Sequence, residues 1–266
     1  MPALIAKGAT GAPGRTADPG MAALSLLGGF RLQMEGRNVE VCRSAQRLSA
    51  YLAIQDRPVS RERVACDLWP DLQPTDALAR VRDALYRLRR VGTDLVEGSG
   101  MWLSLDERMH VDVRHRWHRA RAVLAGGGGS HGPGSSPALD ELAPRPLLPT
   151  WDEAWLAGPR HDLWLTCVRA LECLAQDRAD QKRFLDAEVA CRIVIEAEPY
   201  RESAHLLLAD VYLAEGNPGQ ALVTVREYAS RMRRELGLDA GPAVAFVTRS
   251  IHRRSSVVSR SVAAGP

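Results

Sequence analysis

The sequence lacks several things, and each absence excludes a class of protein. No run of about 18 apolar residues occurs, so no segment reads as a membrane-spanning helix. Residues 1–20 lack the charged start and apolar core of a signal peptide, so a cytoplasmic chain is expected. Those residues are small and rich in Pro and Gly, which predicts a disordered N-terminal extension over 1–22. Cysteine is sparse and odd in number: Cys42, Cys66, Cys167, Cys173 and Cys191 include no C-x-x-C pair. A zinc cluster and a disulfide framework are both disfavoured. All five fall within apolar helical patterns, where a thiol is expected to act as a small hydrophobe. Lysine is nearly missing, with only Lys7 and Lys182, so arginine carries almost all the positive charge. A GC-rich coding sequence accounts for that global bias. Net charge is only +3, so bulk charge does not mark a nucleic-acid binder, and the placement of the arginines must decide.

What is present is ordinary for a globular protein: 45% hydrophobic and 25% charged residues, which is enough for a sizeable core. A length of 266 residues fits two domains better than one. The best boundary is Ala125 to Pro137, AGGGGSHGPGSSP, a composition that cannot bury a core. No Lys followed by Ser or Thr stands after those glycines, so a phosphate-cradling loop is not supported. The expected organisation is a first domain over 23–122, a linker over 123–140, a helical domain over 141–254 and a flexible tail over 255–266.

Before the linker, Leu24 to Gln33 is strand-like, Glu35 to Asn38 reads as a turn and Val39 to Val41 as a return strand. Three helical patterns follow. The first covers Ser44 to Ile54 and is broken by Gln55-Asp56-Arg57-Pro58. The second opens at Ser60, an N-cap, with Val64 and Leu68 inward, and stops at Trp69-Pro70. The third opens at Thr75 or Asp76 and runs to Arg90, with Gly92 as its stop. Asp94 to Leu105 then reads strand, a Gly98-Ser99-Gly100 turn, strand.

The third helix carries the informative pattern. At about 100° per residue, Val81, Leu85 and Leu88 fall within roughly 60° of one another and make an apolar seam. Asp83, Tyr86, Arg87, Arg90 and Ala79 fall opposite, with Arg80, Arg82 and Arg89 on the flanks. Five arginines therefore face one carboxylate, Asp83, over Arg80 to Arg90. A solvated surface helix usually mixes signs to form i,i+4 pairs, and this one does not. A helix fits the major groove, and arginine both grips phosphate and reads guanine edges. Two helices and a connector precede it and a strand-turn-strand follows, the order of a winged helix-turn-helix. Arg61 or Arg63 at the start of the second helix would meet phosphate. Ser99 and Gly100 would offer wing backbone, while Trp102 is expected to pack.

After the linker nearly everything reads as helix: about Trp151 to Asp180, Phe184 to Glu198, Glu202 to Glu215, Gln220 to Leu236 and Pro242 to Arg253. A shift of about 34 residues overlays Leu174 on Leu208, Ala175 on Ala209 and Ala187 on Ala221, the tetratricopeptide (TPR) period. Pro199 closes the first repeat, and Glu215-Gly216-Asn217-Pro218 reads as the turn inside the second. The fold class is thus mainly α with small β: a winged helix-turn-helix domain followed by a TPR-like all-helical domain. Neither half shows a nucleophile–base pair, so no enzyme and no cofactor is expected. His115 and His118 stand at i,i+3 with only His110 as a third candidate, which gives little support to a metal.

These residues resemble a known family. Pro58-Val59-Ser60-Arg61-Glu62-Arg63, Leu68-Trp69-Pro70 and Tyr86-Arg87-Leu88-Arg89-Arg90 look like the DNA-binding domain of SARP-type antibiotic regulatory proteins. Leu147-Leu148-Pro149-Thr150-Trp151 with Trp155, Pro199 to His205, Ala214 to Asn217 and Glu235-Leu236-Gly237-Leu238 look like their bacterial transcriptional activation domain. The similarity spans roughly Leu24 to Ile251. It implies a transcriptional regulator of secondary metabolism, cytoplasmic and nucleoid-associated, that binds promoter direct repeats of double-stranded DNA. Such a protein acts typically as a homodimer and recruits RNA polymerase holoenzyme. An activator is implied first, with a repressor or an interaction adaptor as alternatives. By analogy Arg80, Arg82, Asp83, Arg87 and Arg90 would line the DNA face. The family's wing tip is usually Pro-Gly-Tyr-like, whereas Gly100-Met101-Trp102 stands here. The ATPase and sensor modules of longer relatives are not seen in this sequence, so nucleotide switching within it is not expected.

Overall fold

The first half folds from short apolar stretches interrupted by glycine. A computed structural model describes residues 22–91, 95–127, 139–242 and 244–245. Most of the expected N-terminal extension and linker, the Gly92 stop, most of the Pro242–Arg253 helix and the tail lie outside those residues.

The expected single strand over Leu24 to Gln33 is two strands, β1 (Ala23–Ser25) and β2 (Arg31–Met34). Gly28 and Gly29 sit between them at φ 85° and 154°, backbone angles that favour glycine. The chain turns back there, so Leu24 pairs antiparallel with Leu32. Strand β3 (Arg37–Val39) follows after Gly36 at φ 76°, two residues earlier than expected. Helices α1 (Arg43–Ile54), α2 (Arg61–Leu68) and α3 (Pro74–Arg89) come next, with a two-residue strand β4 (Val59–Ser60) before α2. The Ser60 hydroxyl accepts from the Arg63 amide at 3.2 Å, so the expected N-cap is present.

A hairpin of β5 (Val96–Ser99) and β6 (Trp102–Leu105) completes the winged helix. Ser99 pairs with Trp102, so the turn is Gly100-Met101 and not Gly98-Ser99-Gly100. Gly100 takes the first corner at φ 59°, where a side chain would be strained. Sheet order is β4-β6-β5, because β4 adds antiparallel to the wing. A second sheet runs β3-β2-β1 and then β7 (His110–Val111), with β7 parallel to β1.

The chain divides into two compact units. The first ends at Arg114, early in helix α4 (Asp112–Ala122), but it also takes in Leu147–Trp155. That distant segment was expected to belong to the helical domain and to begin a helix at Trp151. Instead Leu147 bridges to Leu27, and the Leu148 amide donates to the Leu26 carbonyl at 2.9 Å. Trp151 stacks on Phe30 with ring centres 5.9 Å apart, and the Arg43 guanidinium lies 3.7 Å over the Trp151 ring. Glu153 accepts from Arg47 at 2.8 Å. Asp112 accepts from the Leu26 amide at 2.9 Å, and the Arg114 guanidinium takes the last carbonyls of α1, Leu52, Ala53 and Gln55.

The second unit comprises His115–Pro146 and the chain from Leu156 onward. After the short helix α5 (Leu139–Leu142) it is built from α6 (Ala157–Asp180), α7 (Phe184–Ala197), α8 (Glu202–Glu215) and α9 (Pro218–Arg231). Ala175, Ala187, Ala209 and Ala221, the small residues of the repeat, are fully buried. Such positions let paired helices approach closely, and a larger side chain there has no room. Gly216 ends α8 in the left-handed region, the Asn217 amide donates to the Tyr212 carbonyl at 2.8 Å, and Asn217 caps α9. Arg201 clamps Glu172 with two bonds of 2.8 and 2.9 Å and also holds Glu198, which ties α6 to the α7–α8 turn.

The cysteines divide differently from expectation. Cys167 and Cys191 are buried, whereas Cys42, Cys66 and Cys173 are exposed.

Candidate nucleic-acid interface

Helix α3 owes its shape to a seam wider than the one its sequence announces. Val81, Leu85 and Leu88 are buried, joined by Ala77 and Ala84. Alanines read ambiguously in a pattern, because they fit a core or a surface equally well. Gln73 precedes the helix and Pro74 stands in its first turn, where a missing amide costs nothing.

The opposite side is turned to solvent. Arg80, Arg82, Arg87, Arg89 and Arg90 are all exposed, as is Tyr86 at 62%. Asp83 is half-buried and accepts from Arg87 Nε at 2.9 Å. That i,i+4 pair lies largely in water and adds little stability. Its effect is to hold one guanidinium along the helix. The Asp83 hydrogen bond raises the Arg87 pKa, with a further contribution from the neighbouring Cys42. Burial pushes the Cys42 thiol up, but the Ser44 hydroxyl, the Ala45 amide and then Arg87 outweigh it and bring the pKa down.

The wing is tied to both helices. Arg61 donates through Nε to the Gly100 carbonyl at 3.0 Å, and its amide donates to Met101 at 2.8 Å. A Cβ on Gly98 would stand 3.2 Å from Arg61 Nη2 and 3.9 Å from Arg89 Nη2. Only the Arg61 guanidinium approaches Gly98 more tightly than an ordinary side chain would allow, while Arg89 lies at normal contact distance. No sequence signal distinguished this role from a turn glycine. Arg61 is thus engaged in bracing the wing. Arg63 is also engaged: its Nε donates to Asp67 at 2.7 Å, and the same carboxylate oxygen accepts from the Tyr51 hydroxyl at 2.6 Å. Burial first, and then Asp67, push the Tyr51 pKa up to about 12, so the hydroxyl keeps its proton and donates. Ser99 and Gly100 are exposed at the wing tip.

Trp102 departs from its expected packing role. It is 55% exposed, and Met101 beside it is 56% exposed, while Leu103 and Leu105 on the same strand are buried. Among the described residues no group of three His, Cys, Asp or Glu is placed to hold a metal ion, and no helix is long and apolar enough to cross a membrane.

Residues 135–252 match the family described as bacterial transcriptional activator domain. The chain is 27% identical over 231 residues to the regulatory protein AfsR of Streptomyces griseus, covering 80% of this chain and 22% of that protein. It therefore spans about a fifth of the curated relative's length. Among solved structures, Mycobacterium tuberculosis EmbR, determined in complex with a low-affinity phosphopeptide, aligns with a TM-score of 0.65 at 20% identity. That alignment covers 88% of this chain and 65% of EmbR, and it bears on the fold, a winged helix followed by a helical unit.

Proposed function

We propose that the chain is a SARP-type transcriptional regulator, as its match to the bacterial transcriptional activator domain and its similarity to AfsR support, and that it activates transcription by laying α3 in the major groove of promoter DNA. The observation that carries this reading is the row of exposed arginines, Arg80, Arg82, Arg87, Arg89 and Arg90, displayed over a buried seam beside a braced wing. Arg80, Arg82, Arg87 and Arg90 with Asp83 and Tyr86 form the base-facing surface. Arg89, and Arg61 and Arg63 once released from their internal partners, supply phosphate contacts, with Ser99 and Gly100 at the wing.

The operator is a pair of direct repeats bound by two copies of the chain. The helical unit contacts the second copy and the RNA polymerase holoenzyme. The protein is cytoplasmic and nucleoid-associated, and it needs no cofactor. The proteins it resembles are described as transcriptional activator domains and as a regulatory protein, which supports a regulatory and not an enzymatic role.

The test is a binding series on promoter DNA over a range of salt. Each neutralised phosphate contributes a slope of about −0.9 in log affinity against log salt, so the three phosphate-facing arginines of one copy set a slope of about −2.7. Affinity should then fall by roughly 40-fold per copy between about 50 and 200 mM salt. A flat response refutes DNA binding through this face. Sedimentation on DNA carrying one or two repeats checks the two-copy arrangement. A single copy on two repeats refutes it.

A further inference from the structure

The first unit contains a groove that the DNA-binding reading does not require. Its volume is about 540 Å³, within the range of small-molecule sites. Three elements wall it with aromatic rings: Tyr51 from α1, Trp102 from β6 and Trp155 from the Leu147–Trp155 segment. Tyr51 and Trp155 meet edge to face, with ring centres 5.4 Å apart at 72°. Trp102 leaves more than half its surface in water, although it lies in a paired strand.

The polar groups of the wall divide sharply. The Tyr51 hydroxyl and Arg63 Nε both donate to Asp67, and the Trp155 indole N–H donates to Glu153 at 3.2 Å. Arg63 and Asp67 cancel in charge. Arg57 is different: among the described residues it makes no hydrogen bond and no ion pair, and its side chain also lines the groove. The groove therefore offers aromatic faces, the Gln55 amide and, in Arg57, one guanidinium with no ion-pair partner among the described residues. A flat, singly charged anion matches the rings and the guanidinium.

We propose that this groove is a binding site for a planar aromatic carboxylate, with the ring against Trp102 and the Tyr51–Trp155 pair and the carboxylate on Arg57. An arginine fork takes a carboxylate through two parallel bonds, and an indole face takes a flat ring. The site also bears on the wing. Trp102 pairs with Ser60, the residue that caps α2, so an occupant touches both strands that hold the wing against that helix.

The test is isothermal titration of the full chain, without DNA, using indole-3-acetate, salicylate and 2-naphthoate, each against its own amide. At least one acid should bind saturably at one site, and its amide should bind about tenfold more weakly or not at all. Trp102→Ala and Arg57→Gln should each weaken the acid about tenfold while leaving thermal unfolding unchanged, since both side chains are exposed. Failure of all three acids to bind, equal binding of acid and amide, or full affinity in both variants overturns the proposal. Substitutions on α3 that abolish DNA binding should leave these titrations intact, so the two readings fail separately.

Discussion

Trp151→Ala tests whether Leu147–Trp155 is part of the first unit's core. The indole is only 5% exposed and is held between the Phe30 ring and the Arg43 guanidinium. Truncating a buried tryptophan costs about 3–5 kcal/mol, through lost burial and the cavity left behind. The stack on Phe30 adds about 0.5–1.5 kcal/mol, and the cation–π contact about 0.5–1 kcal/mol where the cation is half in water. Because Arg43 is 51% exposed and the site can partly collapse, we expect the low end of that sum, about 4 kcal/mol. A domain is stable by only about 5–15 kcal/mol, so this is a large share. The melting transition of the first unit should fall by about 15 °C, at roughly 4 °C per kcal/mol for a unit of this size. Calorimetry of the full chain reads the shift. Hydrogen exchange at the Leu24 and Leu32 amides assigns it, because those strands pack beside the segment. Arg43→Ala, which keeps the ring, should cost under about 1 kcal/mol. A loss below about 1 kcal/mol for Trp151→Ala, or one confined to the second unit's amides, would refute the packing described here.

If α3 meets DNA as proposed, Arg87→Ala should weaken promoter binding about 10- to 100-fold and relax selectivity at one base position. Unchanged affinity and selectivity would remove Arg87 from the interface. Ala209→Leu should destabilise the second unit by about 1–3 kcal/mol, because Ala209 is fully buried where α8 meets its neighbours. Urea unfolding measures this, and a neutral result would contradict the close packing. His205 is buried against Tyr228 and hydrogen-bonded to the Pro199 carbonyl at 3.0 Å, and burial lowers its pKa below the ordinary 6.5. The unfolded chain therefore takes up a proton near pH 6.5 that the folded chain refuses. Stability of the second unit should be level above that pH and should fall as pH drops below it toward the depressed folded value. His205→Phe should flatten that slope. A wild-type stability unchanged between about pH 7 and 5 would refute the assignment.

The parts of the molecule that were legible in advance are those written in short-range repetition. Val81, Leu85 and Leu88 mark a helical face because their spacing matches the helix period, and the structure buries all three. Ser60 marks the start of α2, and Gly216-Asn217-Pro218 the turn between α8 and α9, because caps are chemistry between residues two to four apart. The alanine register of the helical unit was visible as a period. Other features left no local trace. Gly98 reads as a turn residue, and only the approach of Arg61 gives it another role. Trp102 reads as packing, because an indole on a strand usually is packed, yet its side of β6 is left open. Cys42, Cys66 and Cys173 sit in apolar patterns but fall on the outer faces of their helices or at a helix entry.

Local pattern sufficed for helices α1–α3 and α7–α9, the Val81/Leu85/Leu88 seam, the Ser60 cap and the arginines of α3, since each is decided by neighbours within about one turn, whereas α4 and α5 carried no such pattern and α6 begins at Ala157 and not at Trp151. Long-range packing set β7 parallel to β1, brought Leu147–Trp155 into the first unit and engaged Arg61 with the wing carbonyl of Gly100. Those are contacts between segments far apart along the chain, and their partners are selected by shape and by unsatisfied backbone and charge once the elements have packed. A pattern read along one strand of sequence carries no information about which of many apolar or basic segments will arrive to meet it.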